Sequence, residues 1–234
     1  MFPGHPWQGE PFGEAEYQWF LRRSYEVGIL FEVNMAPFVD FCKAGGHKAN
    51  QLVMKICSRL SEKHLPQFLL ALNGRPYPAR YPAGYIRLAR PGADMIEHVA
   101  VREKEALFSE RLVRRHWKTI PRWFAYNHAR IGSWLARFFP GEEVKDNYAL
   151  MVTRNPLRKL NTPLIIVGSH LRTMALAIPF GKKVYCSFYF PHAFGNINSF
   201  EPFLVLFKTW MEDPAQIPAD ILNKPYREEQ AEGA

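Results

Sequence analysis

Val184-Tyr-Cys-Ser-Phe-Tyr-Phe190, then Pro-His192-Ala-Phe-Gly-Asn196, then the run from Ser199 to Met211, form the most informative stretch of the chain. Val184, Cys186, Phe188 and Phe190 alternate with Tyr185, Ser187 and Tyr189, the period of two that sends successive side chains to opposite faces of a strand. From Ser199 the period changes. Phe203, Leu204, Phe207 and Trp210 fall on one side of a helix, and Ser199 is placed to cap it. A strand, a turn and an amphipathic helix in succession bury one face of each element against the other.

Working outward, Tyr148–Thr153, Leu164–Val167 and Met174–Ile178 read as strands, and Phe180-Gly181-Lys182-Lys183 as a hairpin turn leading into Val184–Phe190. Near the N-terminus, Val27, Ile29, Phe31 and Val33 alternate with Glu32 and Asn34, which predicts a half-buried strand over Tyr25–Asn34. Pro37 opens a short helix that Gly45-Gly46 ends. A longer helix runs from Lys48 to His64 with Leu52, Val53, Ile56 and Leu60 on its apolar stripe, and Pro66 stops it. Residues 73–92 read as turns around short extended pieces, and Met95–Val101 as a strand. Residues 103–139 read as helical, aromatic and basic, broken at Pro121 and closed by Pro140-Gly141. Strands and helices are interspersed without regular βαβ repetition. The pattern predicts a two-layer α/β sandwich, a mixed sheet covered by helices, rather than a doubly wound parallel fold. The expected organisation is an irregular N-terminal arm at 1–20, a single domain at 21–222 and a flexible tail at 223–234.

Composition bounds the class. With 234 residues, 47% of them apolar and 22% charged, the chain can bury a full core and is not intrinsically disordered. Cys42, Cys57 and Cys186 are odd in number and far apart, so no disulfide framework or zinc spacing fits them. The N-terminal Met-Phe-Pro-Gly-His-Pro-Trp is not a secretory signal, and no apolar run approaches the ~20 residues of a bilayer span. A reducing cytoplasm is the expected location.

The chemistry is narrowed by elimination. GxGxxG after a strand, GxxxxGK[ST], GxSxG and HExxH are all missing, and the eight histidines show no i, i+4 pairing with an acid, so no metal site is expected. His192 stands at the end of an aromatic strand with Asn196 four residues later. A histidine held there can project into a cleft, and its near-neutral pKa suits it to remove a proton. The same position also suits a partly buried histidine with a purely structural hydrogen bond.

His192-Ala-Phe-Gly-Asn196 resembles the His-x-x-x-[Asp/Asn]-Gly signature of the chloramphenicol acetyltransferase superfamily, and most of all the acyltransferase cores of 2-oxo acid dehydrogenase complexes. The flanks resemble that family in register: Phe203-Leu-Val-Leu-Phe-Lys208 and Glu212-Asp213-Pro214 downstream, Leu164-Ile-Ile-Val-Gly168 upstream, and Phe31-Glu-Val-Asn34 followed by Lys48-Ala-Asn50 at a helix start. The resemblance covers most of residues 25–218 and is thin between 100 and 145.

The resemblance implies a two-layer sandwich assembled as a homotrimer, or a higher assembly of trimers, with the active site between neighbouring subunits. It implies transfer of an acyl group between a thioester of coenzyme A, lipoamide or a carrier protein and an acceptor thiol, hydroxyl or amine. No cofactor would be bound covalently, since coenzyme A or another pantetheine or lipoyl thioester is the substrate. His192 would be the general base. Thr153 is the best match to the family's hydroxyl for the tetrahedral oxyanion, and Asn196 would organise the turn by side-chain hydrogen bonds. The main departure is Ile197, where the family has Gly. A family Gly in a backbone conformation barred to β-branched residues would mean that Ile197 forces a different turn. The chain carries no lipoyl or subunit-binding segment, which points away from a full multienzyme core role. The alternative reading is a catalytically degenerate member of the same fold, serving as an oligomeric structural or ligand-binding protein.

Charge is unevenly distributed. The net charge is +8, and between Arg102 and Arg137 nine Lys or Arg residues face three Glu residues, which supplies +6 of it. Among functional uses of the 103–139 segment, an acidic acyl carrier protein or the phosphates of coenzyme A fit best with acyl transfer, a membrane surface is a further option, and nucleic acid ranks last. The alternative is a solvated face with its aromatics packed inward.

Overall fold

The structure, a computed structural model, describes residues 26–70, 76–79, 81–87, 95–104, 107–116, 148–154, 174–179, 183–191, 194–223 and 226–229. In chain order the strands are β1 Glu26–Val33, β2 Phe68–Leu70, β3 Pro76–Pro78, β4 Tyr81–Arg87, β5 Met95–Lys104, β6 Leu107–His116, β7 Tyr148–Arg154, β8 Met174–Ile178, β9 Val184–Pro191 and β10 Tyr226–Glu229. The α-helices are α1 Ala36–Ala44, α2 Ala49–His64, α3 Glu201–Glu212 and the short α4 Ala219–Asn223. Among the described residues, eight strands form one sheet in the order β1-β9-β8-β7-β4-β5-β6-β10, and β2 pairs with β3 separately. The sheet is mixed: β4–β7, β7–β8 and β6–β10 run parallel, and the remaining neighbours antiparallel.

One face of the sheet carries the core. Phe31 pairs with Cys186 and Ile29 with Phe188, so the apolar alternants of β1 and β9 lie on the same side. Leu176 beside Phe188 and Val152 beside Leu176 extend that row into β8 and β7. Helix α2 covers it with Leu52, Val53, Ile56 and Leu60, and α3 with Phe203, Phe207, Trp210 and Met211, all buried. Each such side chain removed from water is worth roughly 1.5–3 kcal/mol. The layered α/β arrangement predicted from the sequence is the one observed.

Local chemistry sets the helix ends. Asn34 Oδ1 accepts the Ala36 N–H at 3.2 Å as α1 starts. Gly46, at φ 68, turns the chain out after the helix in a conformation that favours glycine. Lys55 is buried on α2 and donates to the Ile221 carbonyl at 3.4 Å, so a cation meets the C-terminal end of α4. Desolvation there lowers its pKa.

Four expectations are corrected. Residues 107–116, read as helical, form β6, and β5 extends to Lys104. Leu, Glu and Arg favour a helix locally, but ten consecutive cross-strand pairs with β5 outweigh that preference. Residues 117–139 lie outside the described residues. The turn-rich 73–92 region contains a central strand, β4, whose Pro82 is accommodated near its start with its carbonyl accepting from Ser61 Oγ at 2.7 Å. The tail from 223 is not loose throughout, because β10 pairs in parallel with Phe108–Arg111 of β6. Ser199 does not cap α3. It lies in a 3-10 turn, Ile197–Phe200, that Asn196 caps. The expected strand at 164–167, the centre of the hairpin turn at 180–183 and the arm at 1–20 lie outside the described residues.

Candidate active site

Strand β9 delivers the chain to Pro191, which is buried and pairs with Glu26 at the start of β1. His192 and Ala193 lie outside the described residues. Beyond them the path is again fixed: Phe194 is fully buried, and Gly195 has φ 151. A Cβ at Gly195 would lie 3.1 Å from Ser199 Oγ, so both backbone angle and space call for glycine.

Asn196 then organises the turn. Its Oδ1 accepts the Ser199 N–H at 3.1 Å and the Ser199 hydroxyl at 3.3 Å, and its backbone carbonyl accepts the same N–H at 3.1 Å. Ile197 is the first residue of the 3-10 turn and is 53% exposed. The conformation that bars β-branched residues therefore falls on Gly195, two positions earlier, and Ile197 sits in ordinary helical backbone.

An aromatic cluster supports the segment from below. Phe190 and Phe200 approach to 4.1 Å between ring centroids, and Phe188 lies 5.5 Å from both Phe200 and Phe203. Contacts at these separations each add about 0.5–1.5 kcal/mol to the burial itself. Pro191 is thus fixed by a strand and Phe194 by a packed core.

Thr153 stands elsewhere. It is buried in β7 on the face opposite the helices, beside Ala177 of β8, which pairs with Ser187 of β9. Ser187 is four residues before Pro191, and β7 is two strands from β9. At ~3.3 Å per residue and ~4.8 Å per strand, Thr153 lies about 16 Å from the end of β9. The described backbone of one chain does not bring Thr153 to that end. Among the described residues no cluster of His, Cys, Asp and Glu is arranged to hold a metal ion, and no helix is long and apolar enough to cross a membrane.

One joint was not foreseen as a unit. Glu212 Oε1 accepts the Asn34 N–H at 3.0 Å and Lys208 Nζ at 2.5 Å, while Lys208 also donates to the Glu32 carbonyl at 2.7 Å. The segments 31–34 and 208–214 were each conspicuous in sequence, but spacing gave no sign that they meet. Burial pushes the Glu212 pKa up, but the Lys208 and Asn34 hydrogen bonds outweigh it and hold the carboxyl below its usual value.

No family model matches the sequence, and a search among curated proteins finds no match. Among solved structures the chain is similar to a chloramphenicol acetyltransferase (12% identity, 86% of this chain and 91% of the other, TM-score 0.45). It is also similar to a truncated catalytic core of the 2-oxoacid dehydrogenase multienzyme complex from Thermoplasma acidophilum (13% identity, 88% and 98%, TM-score 0.46). A third is the dihydrolipoamide acetyltransferase of Azotobacter vinelandii (10% identity, 89% and 88%, TM-score 0.46). These are likenesses of chain path, and what the chain does rests on its own residues.

Proposed function

We propose that this chain is an acyltransferase that moves an acyl group from a thioester, linked to coenzyme A, lipoamide or a carrier protein, to an acceptor thiol, hydroxyl or amine, with His192 as general base. The observation that supports this most is the frame around His192: a buried strand end at Pro191 on one side, and on the other Phe194, Gly195 and the Asn196-capped turn over an aromatic core. A base works when its ring is held within hydrogen-bond reach of the proton it removes, and fixed residues on both sides of His192 in the chain support this reading.

For a thiol acceptor, the neutral imidazole takes the S–H proton, which matters because a thiol of pKa about 8.5 is mostly protonated at neutral pH. The thiolate attacks the thioester carbonyl carbon, a C–S bond forms, and the carbonyl oxygen becomes an oxyanion. Collapse of that intermediate breaks the original C–S bond, and the leaving thiolate recovers the proton from the imidazolium. A hydroxyl or N–H donor would stabilise the oxyanion. With about 16 Å between Thr153 and the end of its own β9, the reading takes the Thr153 hydroxyl to reach the oxyanion from a neighbouring copy. A homotrimer with the site between chains meets that requirement.

The test is His192→Ala, assayed with acyl-coenzyme A and a panel of thiol, alcohol and amine acceptors. Turnover should fall by roughly 10²- to 10⁴-fold with the melting temperature little changed. Unchanged turnover would overturn the assignment of the base. The absence of transfer by the unaltered protein to any acceptor would favour the degenerate, ligand-binding reading instead.

A further inference from the structure

The sheet face opposite the helices is buried towards its centre and open at its β1 edge. On that face Ala175 and Ala177 of β8 and Ser187 of β9 are buried, whereas Gly28, Leu30 and Glu32 of β1 are exposed. Register sets Leu30 opposite Ser187, with Tyr185 and Tyr189 on the two diagonals, within reach of side chains of that size. Leu30 is 54% exposed and Tyr185 38%, and Tyr189 is partly buried. A Cβ at Gly28 would lie 2.8 Å from Tyr189 Cε1, so the bare backbone there is what lets the ring approach β1. Tyr185, Leu30 and Tyr189 thus form one apolar patch along the β1–β9 pair, with the exposed Glu32 opposite Tyr185 at its end.

We propose that this patch is the surface on which a second copy of the chain docks. The choice of occupant rests on the acyl-transfer reading, in which Thr153, about 16 Å from the end of its own β9, serves a neighbouring copy. A copy that delivers its Thr153 to that end comes up against the β1–β9 edge. The patch is continuous with it, since Tyr189 lies two residues, about 7 Å, before Pro191. Its make-up suits a protein partner: tyrosines beside an aliphatic side chain at the centre, and a charge at the rim. Each copy gives a hydroxyl to one neighbour and receives one from another, so the contact is head-to-tail and closes as a ring.

The test is sedimentation of the full chain over a range of concentrations, a readout that needs no activity. The unaltered chain should self-associate. The double variant L30T/Y185T, whose threonines keep the strand preference of β1 and β9, should weaken association by about 30-fold or more, the loss typical of truncated interface hot spots. Leu30→Glu should weaken it further, and far-UV circular dichroism of both variants checks that the fold is kept. Val205→Glu, on the outer side of α3 where Val205 is 52% exposed, should leave association unchanged. A chain that is monomeric at every concentration, association that survives L30T/Y185T and Leu30→Glu, or a monomer in which acyl-coenzyme A alone shields Tyr185 would each overturn the proposal. The base is judged separately: if His192→Ala keeps full turnover while L30T/Y185T loses association, the acyl-transfer reading fails and the docking surface stands.

Discussion

The Glu212 carboxylate accepts the backbone N–H of Asn34 at 3.0 Å, joining the last turn of α3 to the residue that follows β1. Lys208, one turn earlier, completes the joint by bonding both Glu212 and the Glu32 carbonyl. Among the described residues, strand β1 is otherwise paired only with β9 in the sheet. The joint therefore fixes the two elements that flank the proposed catalytic strand. Glu212→Ala leaves Asn34 N–H and Lys208 without that acceptor and should cost about 1–3 kcal/mol in urea unfolding. Glu212→Gln, which keeps an oxygen acceptor, should cost less.

The same joint gives a pH dependence with a defined sign. The folded-state pKa of Glu212 lies below its ordinary 4.5. As pH falls through that range the unfolded chain takes up the proton first, so the contribution is present above about pH 4.5 and is lost below it. The stability gap between the unaltered protein and Glu212→Gln should be constant from pH 7 to 5.5 and shrink towards pH 3. A gap that stays constant down to pH 3 would show that the carboxylate is not favoured by folding.

Much of this architecture is legible in sequence because periodicity and burial agree. The alternation in β9 and the stripe of α2 name buried residues, and the alternation in β1 names buried Val33 and the partly buried Val27, Ile29 and Phe31, since a half-buried element must repeat with its own geometry. Region 107–116 misled because its Leu, Glu and Arg residues carry helix preference, while the force that makes β6 comes from β5 and β10, which local reading does not contain. Asn196 is legible as the residue that organises its turn, whereas Ser199 reads as the cap of the following helix and instead donates to Asn196. An Asn three residues ahead of a Ser offers either side chain, and only the backbone path decides which one accepts. Thr153 rests on the family resemblance alone, because sequence gives residue type and not the row across the sheet.

Ile197 is not a defect of the turn. It is exposed at the first position of a 3-10 turn, while the demanding backbone angle belongs to Gly195. Ile197→Gly should therefore bring no gain in acyl transfer and should lower stability by up to about 1 kcal/mol through added freedom in the unfolded chain. Gly195→Ala should cost about 1–3 kcal/mol and lower turnover along with it. A rise in turnover in Ile197→Gly would contradict this reading of the turn.

All three thiols are buried, and burial raises their pKa values: Cys42 to about 11, Cys186 to about 12, and Cys57 also well above the ordinary range. Only thiolate reacts with an aromatic disulfide reagent, and it needs access as well. The native protein should consume almost no reagent at pH 7.5, and the unfolded protein three equivalents. Rapid reaction of one equivalent in the native state would place one of these side chains in contact with solvent.

Phe200 connects the fold to the proposed chemistry. Fully buried, it meets Phe190 at 4.1 Å and Phe188 at 5.5 Å, and it ends the turn that Asn196 caps. Phe200→Ala should cost about 3–5 kcal/mol from lost burial and the cavity left behind. Phe200→Leu retains most of the volume and should cost less, about 1–2 kcal/mol by the usual range for volume-conserving changes. If the segment between Pro191 and Asn196 carries the general base, the Leu variant should show a lower kcat with KM little changed, since the base acts on a proton in the transition state while the thioester is held elsewhere. A fall in stability with kcat fully retained would mean that the aromatic cluster supports the core alone and does not position the catalytic loop.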